Sequence, residues 1–212
     1  MKALIVAGGE KPSAELLIDA AKDAEIIIGA DRGCEYLFQA DLKPNYIVGD
    51  FDSADKDIID SLEALGAVKI SYNCEKDSTD SDIALELAIE KGAEEIVIAA
   101  VTGSRLDHTF ANFGLLRKAA IRGVKAVIIN DTNKMFLAEH DMEVIRDKRY
   151  KYISFLAYTG KVNGFNIEGA KYPLKGYALE VGDNRTVSNE FIEDTIKISF
   201  KNGIILVIYS KD

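Results

Sequence analysis

The first part of the chain alternates short apolar runs with amphipathic segments, and this alternation restricts the fold more than any other feature. Continuous β-branched runs, apolar on both faces, are typical of strands buried in a parallel sheet. The predicted strands are Ala3–Ala7, Glu25–Ala30, Tyr46–Gly49, Val68–Tyr72, Glu95–Val101 and Lys125–Asn130. The predicted helices between them are Ser13–Lys22, Ala54–Leu65, Ser81–Lys91 and Asp107–Arg122. The pattern therefore predicts a three-layer α/β domain built on a parallel sheet.

After about Glu139 the helical pattern stops and strand-like runs follow. These runs are Tyr150–Tyr158, Asp194–Phe200 and Ile204–Tyr209. Asn-Gly pairs at 163–164 and 202–203 are strong cues for hairpin turns. We therefore predict a C-terminal antiparallel β-sandwich, with the α/β domain over residues 1–136 and the sandwich over residues 137–212.

The charge balance excludes several classes of partner. The 212 residues include 35 Asp and Glu against 26 Lys and Arg, which gives a formal net charge of −9. A protein that binds nucleic acids or anionic membranes needs basic patches that displace counterions. We therefore expect neither as a partner of this acidic chain. No apolar stretch approaches the ~20 residues that span a membrane, so we expect a cytoplasmic protein. Cys34 and Cys74 have no zinc-ligand spacing.

Aspartates follow almost every predicted strand of the first domain. They are Asp31, Asp50, Asp52, Asp77, Asp80, Asp107 and Asp131. The carboxyl ends of parallel strands meet at one edge of the sheet, where open α/β proteins bind their ligands. Clustered carboxylates repel one another unless cations occupy them, and oxygen ligands select hard cations such as Mg²⁺. The pattern predicts metal-dependent phosphate chemistry.

Helix capping is the alternative interpretation of the same residues, because Asp, Ser and Thr are preferred at N-caps. Ser53 is placed to cap the helix 54–65, and Thr79 with Asp82 and Ser104 with Asp107 resemble capping boxes. For any one residue capping is the more common role. The segments 50–53 and 77–82, however, carry more acid than a cap requires.

Other candidate residues have two interpretations each. Arg32 and Arg105 lie at the same predicted edge, where each could bind phosphate oxygens or pair with a neighbouring Asp. Gly8-Gly9 fits either a close approach to a ligand or a tight turn, and for His108 a structural hydrogen bond is favoured over proton transfer. No GxxxxGK[ST] or GxGxxG motif occurs, so P-loop and dinucleotide sites lack their signature.

The ordered motifs resemble the thiamine pyrophosphokinase family. They are Gly49–Ser53 (GDFDS), Lys76–Asp80 (KDSTD) leading into Ala84-Leu85, Thr102–His108 (TGSRLDH), Ala30–Gly33 (ADRG), Lys171–Leu174 (KYPL) and Val187–Phe191 (VSNEF). The last two are similar to the bacterial branch. The resemblance implies that thiamine attacks the β-phosphorus of Mg-ATP, giving AMP and thiamine diphosphate. It also implies a homodimer, with each active site between the α/β domain of one subunit and the sandwich of the other.

The resemblance assigns roles residue by residue. The implied catalytic carboxylates are Asp50, Asp52, Asp77, Asp80 and Asp107, and all but Asp80 would hold Mg²⁺; Asp80 belongs either to the metal network or to the thiamine side. The implied nucleotide-binding residues are Asp31, Arg32, Ser53, Thr79, Thr102, Gly103, Arg105 and His108. The implied thiamine-binding residues are Tyr172, Ser188 and Asn189.

Two departures from the family pattern concern aromatic and glycine positions. Some members place a Trp near the thiamine ring, whereas this chain has none. Tyr172 or Phe191 could take that position, although we favour the sandwich core for both. Ser104 stands where a second glycine often follows Gly103.

Two other functions remain as alternatives. One is a magnesium-dependent phosphohydrolase of the haloacid dehalogenase type, because a strand ending in Asp-x-Asp resembles its nucleophile motif. The other is a nucleotide-binding regulatory module without catalysis. Release of inorganic phosphate without AMP would favour the first, and ATP binding without turnover would favour the second.

Overall fold

The computed structural model describes residues 1–51, 55–71 and 79–212. The chain forms two compact units, which we call unit 1 (Met1–Asp131) and unit 2 (Thr132–Asp212). Asp52, Ser53 and Asp77, which the sequence places in the site, lie outside the described residues. Among the described residues, no helix is both long enough and apolar enough to cross a membrane.

Unit 1 is built on a parallel sheet, as predicted. Its strands are β1 (Lys2–Val6), β2 (Ile26–Ala30), β3 (Tyr46–Gly49), β4 (Val68–Ser71), β5 (Glu95–Ala99) and β6 (Lys125–Ile129). They lie in the order β4-β3-β2-β1-β5-β6, and each neighbouring pair is parallel. The order reverses at β1, so the loops after β1 and β5 lie beside each other at the carboxyl edge.

Helices cover the sheet in two layers. They are α1 (Ala14–Ala21), α2 (Gly33–Gln39), α3 (Lys56–Ala64), α4 (Asp80–Glu90) and α5 (Leu106–Ile121). Leu4 and Val6 of β1 share a core cluster with side chains of α1 and α2. Ala3 and Ile5 point the other way and are also fully buried, which requires the second layer, to which α4 belongs. The short helix α2 was not predicted.

The helix caps agree only in part with the sequence prediction. Thr79 caps α4, because its Oγ1 accepts a hydrogen bond from the Asp82 backbone N at 3.3 Å. Asp55 caps α3 by accepting from Asp57 N at 2.9 Å, and Ser53, the residue that the sequence places at this cap, lies outside the described residues. Arg105 occupies the N-cap of α5 without a side-chain cap bond, so the prediction for Ser104 was wrong.

Unit 2 is an antiparallel β-sandwich, as predicted. Its strands are β7 (Asn133–Ala138), β8 (Met142–Ile145), β9 (Tyr152–Ala157), β10 (Lys161–Glu168), β11 (Leu174–Glu180), β12 (Thr195–Ser199) and β13 (Ile205–Ser210). One sheet has the order β7-β13-β9 and the other β11-β10-β12-β8. Both contribute to one core, in which the rings of Phe155 and Phe165 meet edge to face at 5.8 Å.

The two Asn-Gly pairs do not form the hairpins that the sequence predicts. Asn163 and Gly164 lie inside β10, where the register with β11 shifts between Val162 and Phe165. Gly164 has a φ of +68°, which a bulge can require and which glycine adopts without strain. The second pair, at 202–203, joins β12 to β13, and these strands belong to different sheets. Neither Asn-Gly pair therefore joins two strands that are paired with each other.

Candidate active site

Loops at the carboxyl edge of the unit 1 sheet surround a cleft of about 1040 Å³. The lining comes from the loops after β1, β2 and β5 and from the first turns of α4 and α5. All seven of the described residues that the sequence assigns to nucleotide binding line it: Asp31, Arg32, Thr79, Thr102, Gly103, Arg105 and His108. The catalytic candidate Asp80 lines it as well. The sheet topology thus gathers side chains that are up to 77 positions apart in sequence.

The loop after β1 is fixed against the loop after β5. Gly9 N donates to the carbonyl of Ala100, and Glu10 N donates to the carbonyl of Thr102, both at 2.7 Å. A Cβ at Gly9 would lie 2.5 Å from each of these carbonyl oxygens. Gly9 is therefore required because two backbone segments of the protein touch there. This differs from both interpretations made from the sequence, a close approach to a ligand and a tight turn.

Helix α5 holds the second of these loops from below. Gly103 N donates to Thr109 Oγ1 at 3.2 Å, and Asn112 Nδ2 donates to the carbonyl of Val101 at 2.8 Å. Asn130, just after β6, donates to Thr102 Oγ1 at 3.1 Å. Thr109 and Asn112 were not predicted from the sequence as site residues. They are three residues apart, so both lie on one face of α5.

Backbone strain is concentrated at the same edge. Asp31, Phe51 and Ala100, which follow β2, β3 and β5, have φ values of +51°, +58° and +59°. This left-handed region is unfavourable for residues with a Cβ, and such outliers often cluster at functional sites. The strain is observed at the ends of three strands of one sheet edge, which supports a functional interpretation of this edge.

Three aspartates interact electrostatically at the edge. The pKa of Asp80 is raised above its usual range, first because the carboxyl group is partly buried and then because Asp31 and Asp50 are negative. Asp50 itself is exposed and directly follows β3. The structure therefore brings Asp31, Asp50 and Asp80 together, as the sequence predicts.

Asp107 and Arg105 form an ion pair at the start of α5. Arg105 Nη2 lies 2.6 Å from Asp107 Oδ2, and Arg105 Nε lies 3.3 Å from Oδ1. The guanidinium holds the pKa of Asp107 at about 2. Both side chains are exposed, so of the two interpretations of Arg105 the structure shows the pairing with a neighbouring Asp. His108 is also exposed, at the rim of the cleft.

A complete metal site is not visible in the part of the chain that the structure describes. Within residues 1–51, 55–71 and 79–212, no group of three or more His, Cys, Asp or Glu side chains is arranged to hold a metal ion. Two of the four predicted ligands, Asp52 and Asp77, fall outside these ranges.

The residues expected to contact thiamine lie on adjoining segments of unit 2. The buried Asn189 amide accepts from Tyr172 N at 3.0 Å and from Glu190 N at 2.9 Å, and it donates to the carbonyl of Tyr172 at 2.9 Å. Ser188 is exposed, with a φ of +57°, and its N donates to Ser154 Oγ at 2.9 Å. Asn189 thus connects the two segments and fixes their backbone.

The two aromatic candidates differ in exposure. Phe191 is buried and stacks on Tyr209 with ring centroids 5.9 Å apart, so it belongs to the sandwich core as expected. Tyr172 is 56% exposed, so the expectation of a core position for it was wrong. Its ring is accessible to a ligand.

Comparisons with known proteins agree with the motifs and the fold. The family model described as thiamin pyrophosphokinase, catalytic domain, matches residues 17–128, and that described as thiamin pyrophosphokinase, vitamin B1 binding domain, matches residues 139–205. A thiamine pyrophosphokinase of Bacillus subtilis (strain 168) is 34% identical over 211 residues, covering 98% of both chains.

Solved structures give the same result. The crystal structure of thiamine pyrophosphokinase from Bacillus subtilis matches with a TM-score of 0.92 at 32% identity, covering 100% of both chains. That of thiamin pyrophosphokinase from Geobacillus thermodenitrificans matches with a TM-score of 0.87 at 34% identity, covering 100% of this chain and 98% of that one. The chain therefore belongs to the thiamine pyrophosphokinase family of enzymes, which make thiamine diphosphate by pyrophosphoryl transfer.

Proposed function

We propose that the chain transfers the terminal pyrophosphoryl group of ATP to thiamine, giving AMP and thiamine diphosphate, with Mg²⁺ as cofactor. The observation that carries the proposal is the group of interacting carboxylates Asp31, Asp50 and Asp80 at the carboxyl edge of the sheet, where Asp31 and Asp80 line the cleft of about 1040 Å³. Small-molecule sites usually have volumes of about 300–1,000 Å³, so the cleft is large enough for a nucleotide.

The chemistry of the donor set fits Mg²⁺. The candidate ligands Asp50, Asp52, Asp77 and Asp107 offer only oxygen atoms, which hard cations prefer. The pKa of Asp80 is raised by burial and then by the negative charges of Asp31 and Asp50, and a cation at this edge would relieve that repulsion. When bound by these four residues, Mg²⁺ would neutralise charge on the triphosphate.

The residues around the cleft would bind and orient the triphosphate. Arg105 is available because exposed ion pairs are weakly held, so its guanidinium can exchange Asp107 for a phosphate oxygen. Arg32 is exposed at the same edge and provides a second planar donor. Asp31, Ser53, Thr79, Thr102, Gly103 and His108 complete the proposed nucleotide site.

Positioning is the main catalytic requirement of this reaction. The thiamine hydroxyl must lie in line with the β-phosphorus and its leaving oxygen, and little help from a strong base is needed. An aspartate at the edge would accept the hydroxyl proton. Asp80 belongs either to the metal network or to the thiamine side. Negative charge at the edge also favours the approach of cationic thiamine.

We propose that the active form is a homodimer in which Tyr172 and Ser188 of one copy meet thiamine at the cleft of the other, while Asn189 positions their segments. Leu106 and Phe110 on α5, beside the cleft, are 65% and 72% exposed. Large apolar side chains exposed next to each other are typical of surfaces that a partner covers. Asn189 would act by holding the backbone of Tyr172 and Glu190 rather than by touching thiamine.

The products formed from Mg-ATP with and without thiamine test the proposal. We expect AMP only when thiamine is present, in equal amount to thiamine diphosphate. Free phosphate without AMP would support the phosphohydrolase, and bound ATP without turnover would support the regulatory module; either result would contradict the proposal.

The variant Asp80→Asn decides which role Asp80 has. An increased KM for thiamine would place Asp80 on the thiamine side, and an increased Mg²⁺ requirement would place it in the metal network.

A further inference from the structure

A second, smaller cleft lies in unit 2, and two of its lining residues directly follow Asn189 in sequence. Its volume is about 350 Å³, and it is lined by the loop between β8 and β9 together with Glu190 and Phe191. The lining residues on the loop are Arg146, Lys148, Tyr150 and Lys151. We call this the basic cleft.

The basic cleft concentrates positive charge in an acidic protein. Residues 146–151 include four basic side chains and one acid, Asp147. Asp147 is already neutralised, because Arg149 Nη2 lies 2.8 Å and Lys134 Nζ 3.8 Å from its Oδ2. Among the described residues, no carboxylate lies within 4 Å of the charged nitrogens of Arg146, Lys148 or Lys151. Three cations therefore share one small cleft without ion-pair partners in this part of the chain.

These cations are carried by an ordered loop. Tyr150 N donates to the carbonyl of Asp147 at 3.1 Å, and Arg146 N donates to the carbonyl of Asp194 at 2.8 Å. Arg146 Nη2 also donates to the carbonyl of Phe191 at 3.3 Å, and the Tyr150 ring packs on Tyr209 at 5.9 Å. Because these contacts fix the loop, its like charges cannot separate freely, and an anion would relieve their repulsion.

The acid in the lining cancels only part of this charge, because it attracts Lys151 but is itself paired with Lys171. Glu190 Oε1 lies 2.7 Å from Nζ of Lys171, a lysine that does not line the cleft. The hydrogen bond from Lys171 holds the pKa of Glu190 below its usual range. Glu190 is therefore ionised but already paired. The hydrogen bond to Tyr152 raises the pKa of Lys151, so that lysine stays protonated.

We propose that the basic cleft binds a diphosphate anion, either free pyrophosphate or the diphosphate of an ester. Two linked phosphate groups offer several oxygens and at least two negative charges, which match two lysine ammonium groups and one planar guanidinium. A nucleic acid is a poor match because it needs a longer basic surface than one cleft of a chain with a net charge of −9.

The test is calorimetric titration of the full chain with inorganic pyrophosphate, in EDTA so that no divalent metal contributes. In the variant Lys148→Gln/Lys151→Gln we expect binding at least ~10-fold weaker, because each lost charge-assisted hydrogen bond weakens binding by about that factor. Arg146 is left unchanged because it bonds to the carbonyl of Phe191. The matched control is Lys161→Gln/Lys197→Gln, which removes the same charge from lysines paired with Glu180 and Glu143.

The same titration with thiamine diphosphate distinguishes the two sources of the anion. Weaker binding of both ligands in the Lys148/Lys151 variant means that the cleft accepts esters, and weaker binding of pyrophosphate alone means that it accepts the free anion. Equal pyrophosphate affinity in wild type and the Lys148/Lys151 variant, or an equal loss in the control variant, would overturn the proposal. The variant Asp50→Asn should keep its pyrophosphate affinity in EDTA, so the result does not depend on the proposed transfer reaction.

Discussion

The two units differ in charge and in how their strands are connected. Of the 26 Lys and Arg and 35 Asp and Glu in the chain, 14 and 24 lie in unit 1, whereas 12 and 11 lie in unit 2. The acidity of the protein is thus confined to the unit whose parallel strands all end at one edge. Unit 2 is nearly neutral overall and carries a local positive cluster. The comparison shows that the net charge of a chain describes neither unit, and that the location of charge is more informative about function.

The largest effect is expected from Asp50→Asn, which removes a carboxylate from the acidic edge of unit 1. Turnover should fall by at least ~10²-fold, the scale of losing one electrostatic contact to the transition state. The thermal midpoint should stay near that of wild type because Asp50 is exposed. Asp77→Asn, at a position outside the described residues, is predicted to behave in the same way.

Asp60→Asn is the matched control, since Asp60 is also an exposed aspartate of unit 1 but lies within α3 and not at a strand end of the acidic edge. Near-normal turnover in Asp50→Asn, or an equal loss in Asp60→Asn, would mean that the acidic edge has no specific role.

Phe165→Ala tests the core of unit 2. The side chain is fully buried and its ring meets those of Phe155 and Phe200 at 5.8 and 6.5 Å. We expect the free energy of unfolding to fall by ~3–5 kcal/mol, measured by urea denaturation followed by circular dichroism. A loss below ~1 kcal/mol would show that the two sheets do not share a tightly packed core.

Asn189→Ala separates positioning from direct contact with a ligand. The free energy of unfolding should fall by ~1–3 kcal/mol, because backbone groups of Tyr172 and Glu190 lose their buried partner. Steady-state kinetics should show an increased KM for thiamine with a smaller change in kcat, since the segment loses its fixed conformation. The exposed Asn184→Ala serves as control. Unchanged stability together with a lost kcat would contradict the positioning role.

Because Cys34 is buried in unit 1, we expect its thiol to make the stability of the protein depend on pH. Burial, followed by the charge of Asp31, raises the pKa of its thiol from 9.0 to about 12. The unfolded chain therefore loses the thiol proton at lower pH than the folded one, and stability is lost as the pH rises from 9 toward 12. Between pH 8 and 10 wild type should lose ~1.4 kcal/mol more than Cys34→Ala in urea denaturation. Parallel pH profiles of the two proteins would contradict the buried thiol.

The sheet of unit 1 could be predicted from sequence because its strands are continuous apolar runs separated by helices. Parallel strands connected in this way place their ends at one edge, so the positions of Asp31, Asp50 and Asp80 followed from the strand assignments alone. Helix α2 was missed because it has only seven residues and no side-chain cap. The cap predicted at Ser104 was wrong because a suitable residue type one position from a helix end does not fix where that helix begins.

Unit 2 was harder to predict because its strands pair over long distances in sequence. β13 pairs with β7 and β9, and β12 pairs with β8 and β10, so a local turn cue could not identify partners. The Asn-Gly pair in β10 produces a bulge, and the one before β13 leads from one sheet to the other. The role of Asn189 could not be predicted either, because two of its three side-chain bonds to the backbone are with Tyr172, 17 residues away.

The fate of the β-phosphorus of ATP tests the central claim most directly. The chain is incubated with thiamine, Mg²⁺ and ATP labelled at the β-phosphorus, and the products are separated. If the acidic cleft of unit 1 supports transfer of an intact pyrophosphoryl group, the label appears in thiamine diphosphate and the nucleotide product is unlabelled AMP, while Asp50→Asn forms almost none. Label retained in ADP, with thiamine phosphorylated at the expense of the γ-phosphorus, would contradict the account.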